Sequence, residues 1–472
     1  MKPAVSPLCR FFAGVFLLAS LVAVEAASPL LKAGVAEIDI TPPIGHRMAG
    51  YFDERLATGT HDPLMAKAIV LQQDKTKFAI AFCDLVGVSL HVSTNARTRL
   101  SRLTGIPVSH IMISATHSHT GPAFDDVRRD YFHQQAVAKL GKDPQEEVYY
   151  PDFLAEQLVK VMSEANNKLA PASVAVGIAQ QEGLSFNRRF HMKNGKEVFN
   201  PGQLNPSIVK AAGPIDPDVG LLFIRTTNNA HVLGGLTIFA CHCDTVGGTE
   251  FSADYPFFLQ QALRGEFGDK FVSAFAAGTC GDINHINVAV KESVKGLAVA
   301  ERIGTALGKT VLAAHDHLPA ITKPSFAVKS KTLTVPLQEV TTEQAKAAWA
   351  KLEMLRTGEG SFMEKVEAVK AVDLANRGKT WPMEVQAFRL DDDTAIVGLP
   401  GEIFVDLGLA VKKASPFKRT FVLSLCNDRP GYVPTKKAFD EGSYEVTNSR
   451  AKAGVGEMLV ETAVELLEEL AN

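Results

Sequence analysis

The stretch HIMISATHSHTGP, residues 110–122, decides how this chain is read. Its centre, 111–116, is an apolar run of the length and character of a buried strand. Successive strand residues point to opposite sides, so His117 and His119 are predicted to face one point in space, with Ser118 turned away. Gly121 and Pro122 stop the run, which places both imidazoles at a strand terminus, where α/β folds carry their chemistry. An H-x-H pair of this kind is a candidate metal site. By itself it is equally compatible with two hydrogen-bonded core histidines, so further ligands must come from elsewhere in the chain.

The 472 residues are 46% hydrophobic and 21% charged, which excludes a disordered chain and allows a large core. The first residues stand apart. Lys2 and Arg10 precede the apolar run 11–24, and Val24-Glu25-Ala26 offers small residues in a cleavage-like pattern, so 1–26 reads as a signal peptide and the mature chain as secreted or periplasmic. That apolar run is too short to cross a bilayer comfortably, and no later stretch approaches a spanning length, so no integral membrane span is expected. A formal charge of −3 gives no basis for a nucleic-acid partner. Beyond the leader stand Cys83, Cys241, Cys243, Cys280 and Cys426, an odd number without a regular framework, whose expected role is packing near the site.

Outward from 110–122, apolar β-rich segments are predicted at 34–40, 67–72, 78–88, 173–178, 219–224, 232–240, 271–277, 385–390, 394–399 and 420–425, with a further strand closing at 333–336. Helical spacing is predicted at 93–104, 152–169 (with Leu154, Leu158, Val161 and Met162 on one face), 256–265, 294–315 and 451–470. Gly304-x-x-x-Gly308-Lys309-Thr310 is not a phosphate loop: its glycines are one residue too close, and it lies inside a helix. Thr341 and Gln344 form a capping-box pattern opening a helical arm over 341–377, either a lid or a surface insertion. Strands and helices alternate throughout, which points to an α/β fold, a layered mixed-sheet sandwich flanked by helices, with 27–472 forming a single domain.

Four positions share the environment of 117–119. His117, His242, Glu402 and Tyr444 each follow an apolar strand or sit in a Gly-punctuated loop, although spacing alone does not select them from the other histidines and carboxylates. The set GVAEIDITPP, GTHDPLMAKAIVL, ISATHSHTGPA, FNRR, IDPDVGLL, FACHCDTVG, AAGTCGDINHIN, LPGEIF and GYVPTKKAFDEGSYE, collinear from about 34 to 450, resembles the catalytic domain of the neutral/alkaline non-lysosomal ceramidases. That family consists of zinc amidohydrolases that cleave the N-acyl bond of ceramide. The resemblance implies Zn²⁺ held by His117, His242, Glu402 and Tyr444. It places His119 on the reacting group and Arg188 at the substrate carbonyl. Three N and O ligands with a weaker phenolic oxygen leave room for a water whose pKa the metal lowers, a neighbouring imidazole can pass a proton, and a guanidinium can stabilise an oxyanion. Asp84, Asp244 and Asp282 are alternative carboxylates for orienting an imidazole, or simple loop caps.

The chain departs from the family pattern in two motifs. Asn284 stands where the family carries a serine proposed as nucleophile, and His242-Cys243-Asp244-Thr245 replaces H-G-T-S. An amide is no nucleophile, so either metal-activated water attacks directly, with Asn284 or His285 positioning the substrate, or the site is inactive. The family's C-terminal immunoglobulin-like domain has no counterpart in the sequence. The expected function is therefore a secreted zinc hydrolase acting on an amide or ester bond of a small acylated substrate, a ceramide-like lipid or an acylated sugar. A carbohydrate-processing deacylase and an inactive metal-containing binding protein are the alternatives. A long apolar channel beside His117 would favour the sphingolipid, and a polar bowl the sugar.

Overall fold

In the computed structural model, residues 1, 3, 4, 31–227 and 231–472 are described. The signal peptide read at 1–26 therefore lies almost wholly outside the described residues.

Eight strands form one mixed sheet: β1 (Leu31–Asp39), β2 (Met65–Gln73), β3 (Thr76–Cys83), β4 (Ile111–Ala115), β5 (Ala170–Gln180), β6 (Asp218–Thr226), β7 (Val232–Phe239) and β8 (Val272–Ala277). Their spatial order is β8-β7-β6-β5-β1-β2-β3-β4, antiparallel except for the parallel pairs β3/β4 and β7/β8 at the two edges. A second sheet has the order β9 (Ala327–Pro336), β10 (Thr380–Asp391), β11 (Thr394–Gly398), β12 (Arg419–Leu423), with β11/β12 parallel.

The period-two pattern explains how the layers stack. Along β2 and β3, Ile69, Leu71, Phe78, Ile80 and Phe82 face the second sheet and share a core with Phe388, Leu390, Ile396 and Phe421. The alternate residues Ala66, Ala68, Val70, Ala79 and Ala81 are small, which lets the helices Leu90–Thr104 and Tyr150–Asn167 sit close on the opposite face through Ala96, Leu100, Leu154 and Leu158. Helices Val405–Ala414 and Val455–Ala471 cover the outer face of the second sheet. The result is a helix–sheet–sheet–helix sandwich, the layered α/β class expected from the alternation of elements.

The eight-stranded sheet curls until its edges β4 and β8 approach, and the segment 424–427 after β12 fills the gap. Ser424 N donates to Ala277 O (3.0 Å), Asn427 N donates to Ile113 O (2.7 Å), and Asn427 Oδ1 accepts from Ile113 N (2.9 Å). Both exposed edges are thereby satisfied. This closure brings the loops after β4, β7, β8 and β11 to one place.

Gly304 and Gly308 lie on the helix Leu297–His315, as the refused phosphate-loop reading requires. A Cβ on Gly304 would lie 2.4 Å from Tyr255 O of the helix Tyr255–Phe267, so this glycine permits close helix packing. The arm over 341–377 forms helices Thr342–Lys351 and Phe362–Arg377, with capping boxes at Thr341/Gln344 and Ser361/Glu364. They pack on a helix the periodicity did not predict, Val127–Leu140, through Tyr131, Phe132, Leu352, Leu355 and Val369. Cys83, Cys241, Cys243, Cys280 and Cys426 are buried free thiols. No described helix is long and apolar enough to cross a membrane.

Candidate metal centre

The strand that leads to the histidines ends at Ala115, two residues earlier than the sequence pattern requires. His117 has φ +73°, a left-handed conformation rare for a residue with a side chain. The alternation argument that paired His117 with His119 is therefore corrected: both lie beyond the strand. Hydrogen bonds from Thr116 N to Cys83 O and from His117 N to Leu85 O carry the β3/β4 ladder past its end. The left-handed turn then swings the chain back, and His119 N is tied to Cys243 O (3.1 Å). Gly50 is required beside it: a Cβ there would lie 2.3 Å from His119 O.

Three imidazoles and one carboxylate converge. His117 Nε2 lies 3.3 Å from Glu402 Oε2, and His242 Nε2 lies 3.4 Å from the same oxygen. His119 Nε2 is 3.3 Å from His117 Nε2. The ligand atoms of His117, His119 and His242 all lie within 4.8 Å of one another. The other ring nitrogens fix the orientation of both candidate ligands. His117 Nδ1 donates to Val86 O (2.8 Å) and His242 Nδ1 to Cys280 O (2.7 Å), so each Nε2 presents a lone pair to the cluster. Burial pushes His242 down to about 4, helped by Arg188 and His117, and burial holds His119 well below its ordinary value despite Asp244. Neutral imidazoles are the form a metal needs.

Glu402 Oε2 is buried and accepts no hydrogen bond. A buried carboxylate oxygen facing two imidazole lone pairs is costly as it stands, and a divalent cation of zinc's ligand preference would satisfy all three. The donor set fits such an ion. Glu402 begins the short strand Glu402–Ile403, paired in parallel with Tyr432–Val433, directly after the Pro400-Gly401 turn.

The remaining expected residues take distinct places. Tyr444 opens the helix Tyr444–Asn448 and lines the same cavity, of about 140 Å³, as His117, His119 and Glu402. Its ring lies 5.4 Å from Tyr432, and burial raises its phenol to about 12. Arg188 is buried, with Nε on Glu445 Oε1 (2.8 Å), Nη2 on Gly281 O (2.7 Å) and Tyr432 OH (3.0 Å), and Nη1 toward His242 Nε2 (3.2 Å). Asn284 does not line the cavity: its Nδ2 donates to Asn200 Oδ1 and its Oδ1 accepts from Ile286 N, both at 3.0 Å. His285 also stands off, its Nε2 bound to Val294 O (2.6 Å).

Of the three carboxylates that the sequence offered for orienting an imidazole, Asp244 faces His119, with Oδ1 3.6 Å from Nδ1. Asp84 is taken by Met65 N and Lys67, and Asp282 by Asn187 and Val405 N, so both brace loops. Asp244 is itself fixed by Tyr51 OH and Lys295 Nζ. Against its burial, His119, Lys295 and Tyr51 hold it far below the usual carboxylate range. Tyr51, Lys295, Tyr432 and Glu445 are site residues that sequence reasoning missed. Tyr432 and Glu445 do lie inside the motif GYVPTKKAFDEGSYE, which was their available signal.

Comparison with known proteins fits this arrangement. Over 263 residues the chain is 22% identical to the neutral ceramidase of Pseudomonas aeruginosa, a stretch spanning 53% of this chain and 36% of that relative. The crystal structure of that P. aeruginosa neutral ceramidase superposes with a TM-score of 0.70 at 17% identity, covering 94% of this chain and 75% of that one. A structure of ceramidase complexed with C2 gives the same TM-score at 16% identity and the same coverage. These likenesses establish the fold. The family description "Neutral/alkaline non-lysosomal ceramidase, N-terminal" matches residues 31–293. That match takes in more than half of the chain, which belongs to the neutral/alkaline non-lysosomal ceramidase family.

Proposed function

We propose that this protein is a zinc-dependent hydrolase of the N-acyl bond of a ceramide-like lipid, exported from the cytoplasm by the leader at 1–26. The observation that carries the reading is the convergence of two oriented imidazole Nε2 atoms on the unpartnered Glu402 Oε2. His117, His242 and Glu402 would hold the ion, with the Tyr444 phenol as the weaker fourth ligand. Bound there, zinc supplies Lewis-acid polarisation of the acyl carbonyl and a water of lowered pKa.

The chain's own residues supply the rest. His119, kept neutral by burial and with Asp244 Oδ1 3.6 Å from its Nδ1, takes a proton at Nε2 from the attacking water and returns it to the leaving amine nitrogen. Among the described residues Arg188 Nη1 meets no oxygen acceptor, only His242 Nε2 at 3.2 Å, and it donates to the carbonyl oxygen as negative charge develops there. Glu445 and Tyr432 prevent that guanidinium from swinging away. Asn284 and His285 act as loop braces, in agreement with attack by water and not by a side chain. The relatives named above are ceramidases, which supports the lipid amide as the substrate class although the cavity lined by Arg128, Arg429 and Asp373 is not an apolar channel.

The test is metal content together with fatty-acid release from a fluorescent ceramide, run on the full chain and on His117→Ala. One zinc per chain and turnover that both disappear in His117→Ala are expected. Turnover by zinc-free protein, or by His117→Ala, overturns the reading.

A further inference from the structure

The cavity above the candidate metal centre is not the long apolar channel that a neutral sphingolipid alone would ask for. Four arginines, Arg128, Arg377, Arg429 and Arg450, line it against three aspartates besides Glu402. The pairing among them is uneven. Asp126 is consumed by Arg128 (3.1 Å), and Asp373 is shared by Arg377 Nε (2.9 Å) and Arg450 Nε (2.7 Å). Asp125 accepts from Ser89 Oγ (2.7 Å) and lies 3.3 Å from His91 Nδ1.

Arg429 forms no direct ion pair among the described residues, although Asp125, Asp126 and Asp428 lie near enough to act on its charge. Its Nη2 donates only to the carbonyls of Phe124 and Asp125, and its guanidinium lies 4.6 Å from the Phe124 ring centroid. The backbone makes room for it: a Cβ on Gly87 would lie 2.8 Å from Arg429 Cβ. Arg377 Nη1 is buried in the same wall with no acceptor. A buried guanidinium donor without an acceptor is costly, and a preorganised arginine fork fits a carboxylate or phosphate. The Arg377 and Arg429 wall also borders an open cleft of about 830 Å³ that carries Arg99 and Arg102 of the helix Leu90–Thr104 together with Asp130 and Asp428, so the cleft itself is of mixed charge.

We propose that Arg429 and Arg377 form an anion subsite, so that the amide cleaved by this chain carries a negatively charged group, a carboxylate or a phosphate, on its amine half. The acyl chain cannot carry that charge without losing its apolar character, so the anion belongs to the leaving half. The choice of bond rests on the hydrolase reading above; the anion subsite itself does not.

The experiment measures binding by calorimetry to the metal-free and the zinc-loaded full chain. The probes are N-dodecanoylglycine, its methyl ester, a short-chain ceramide 1-phosphate and the matching neutral ceramide. The subsite predicts that N-dodecanoylglycine binds roughly tenfold or more tightly than its methyl ester, a comparison that needs no variant. It predicts that Arg429→Gln removes the difference and that Arg429→Lys restores part of it, with melting curves reporting whether each variant is folded. Preference for the phosphate or for the carboxylate identifies which anion the fork takes. Equal binding of acid and ester, or equal weakening of both by Arg429→Gln, overturns the proposal. Turnover separates the two readings: anionic amides bound through Arg429, with neither these nor neutral ceramide cleaved by any preparation, leave the subsite standing and end the hydrolase reading, whereas neutral ceramide cleaved without any anion preference does the reverse.

Discussion

Glu197 gives the most quantitative test of how the site is supported. It lies on the strand Glu197–Phe199, 9% exposed, with neither carboxylate oxygen holding a hydrogen-bond partner. Its nearest cation, Arg189 Nε at 3.4 Å, also serves Glu445 (3.1 Å) and Glu441 (3.4 Å), and Glu445 serves Arg188 as well. One shared guanidinium does not offset the burial, which raises Glu197 from 4.5 to about 7. A folded-state pKa above the unfolded value means that between about pH 4.5 and 7 the folded chain binds more protons, so stability falls as pH rises through that window and is flat above it. Each tenfold in proton affinity is worth about 1.4 kcal/mol, which sets a ceiling of roughly 3 kcal/mol, and residual solvation reduces it to about 1–3 kcal/mol. Glu197→Gln removes the titration while keeping the shape. In urea unfolding of the metal-free protein at pH 5, 6, 7 and 8, the variant should gain on the natural chain from pH 5 to about 7 and then level off, by about 1–3 kcal/mol at pH 8. The difference between the two proteins isolates this group from every other carboxylate. A pH-independent difference, or a variant less stable at pH 8, refutes the argument.

Other substitutions separate positioning from packing. Gly304→Ala gains about 1 kcal/mol of helix propensity but drives a methyl to 2.4 Å from Tyr255 O, so unfolding should show a net loss of about 1–3 kcal/mol with turnover per folded molecule unchanged; a more stable variant contradicts the packing reading. Asp244→Asn should lower kcat roughly ten- to a hundredfold while zinc content and KM stay near those of the natural protein, because the group acts on the proton held by His119. Loss of zinc in that variant would move Asp244 into the metal's support. Asn284→Ser should raise no new turnover and cost about 1 kcal/mol in urea, since both amide atoms already brace the loop. A gain in ceramide cleavage would return that position to the chemistry.

The strands and long helices were legible because their burial is simple. Runs such as Ile111–Ala115 and Val272–Ala277 are buried on every residue, and Tyr150–Asn167 turns one apolar stripe inward. The capping box at Thr341 was legible because it is purely local. Val127–Leu140 escaped because its buried face is three residues, Val127, Tyr131 and Phe132, and the rest is partly or fully exposed. The site was legible only through its motifs. Asp244 meets Tyr51 across 193 residues of chain, a proximity that no local period encodes. His117 and His119 were paired by a strand argument that fails on the left-handed turn at His117. The same pair is nevertheless assembled, because the turn does what the alternation was supposed to do.

That turn also separates a working centre from a folding accident. A left-handed non-glycine residue and a buried carboxylate oxygen without a donor each carry a cost, and here they occur side by side, with Glu402 Oε2 3.3 Å from His117 Nε2. Packing alone offers no return for them: a leucine at 402 and a glycine at 117 would remove most of the cost without disturbing the sheets. The surrounding structure is nonetheless built to hold the arrangement. The edge closure through Ser424 and Asn427, the close approach at Gly281, where a Cβ would lie 2.5 Å from the Glu402 carbonyl oxygen, and the double arginine clamp on Glu445 all bear on the loops that deliver these groups. Local cost concentrated where the global fold is most constrained is the pattern expected of a preorganised ligand site.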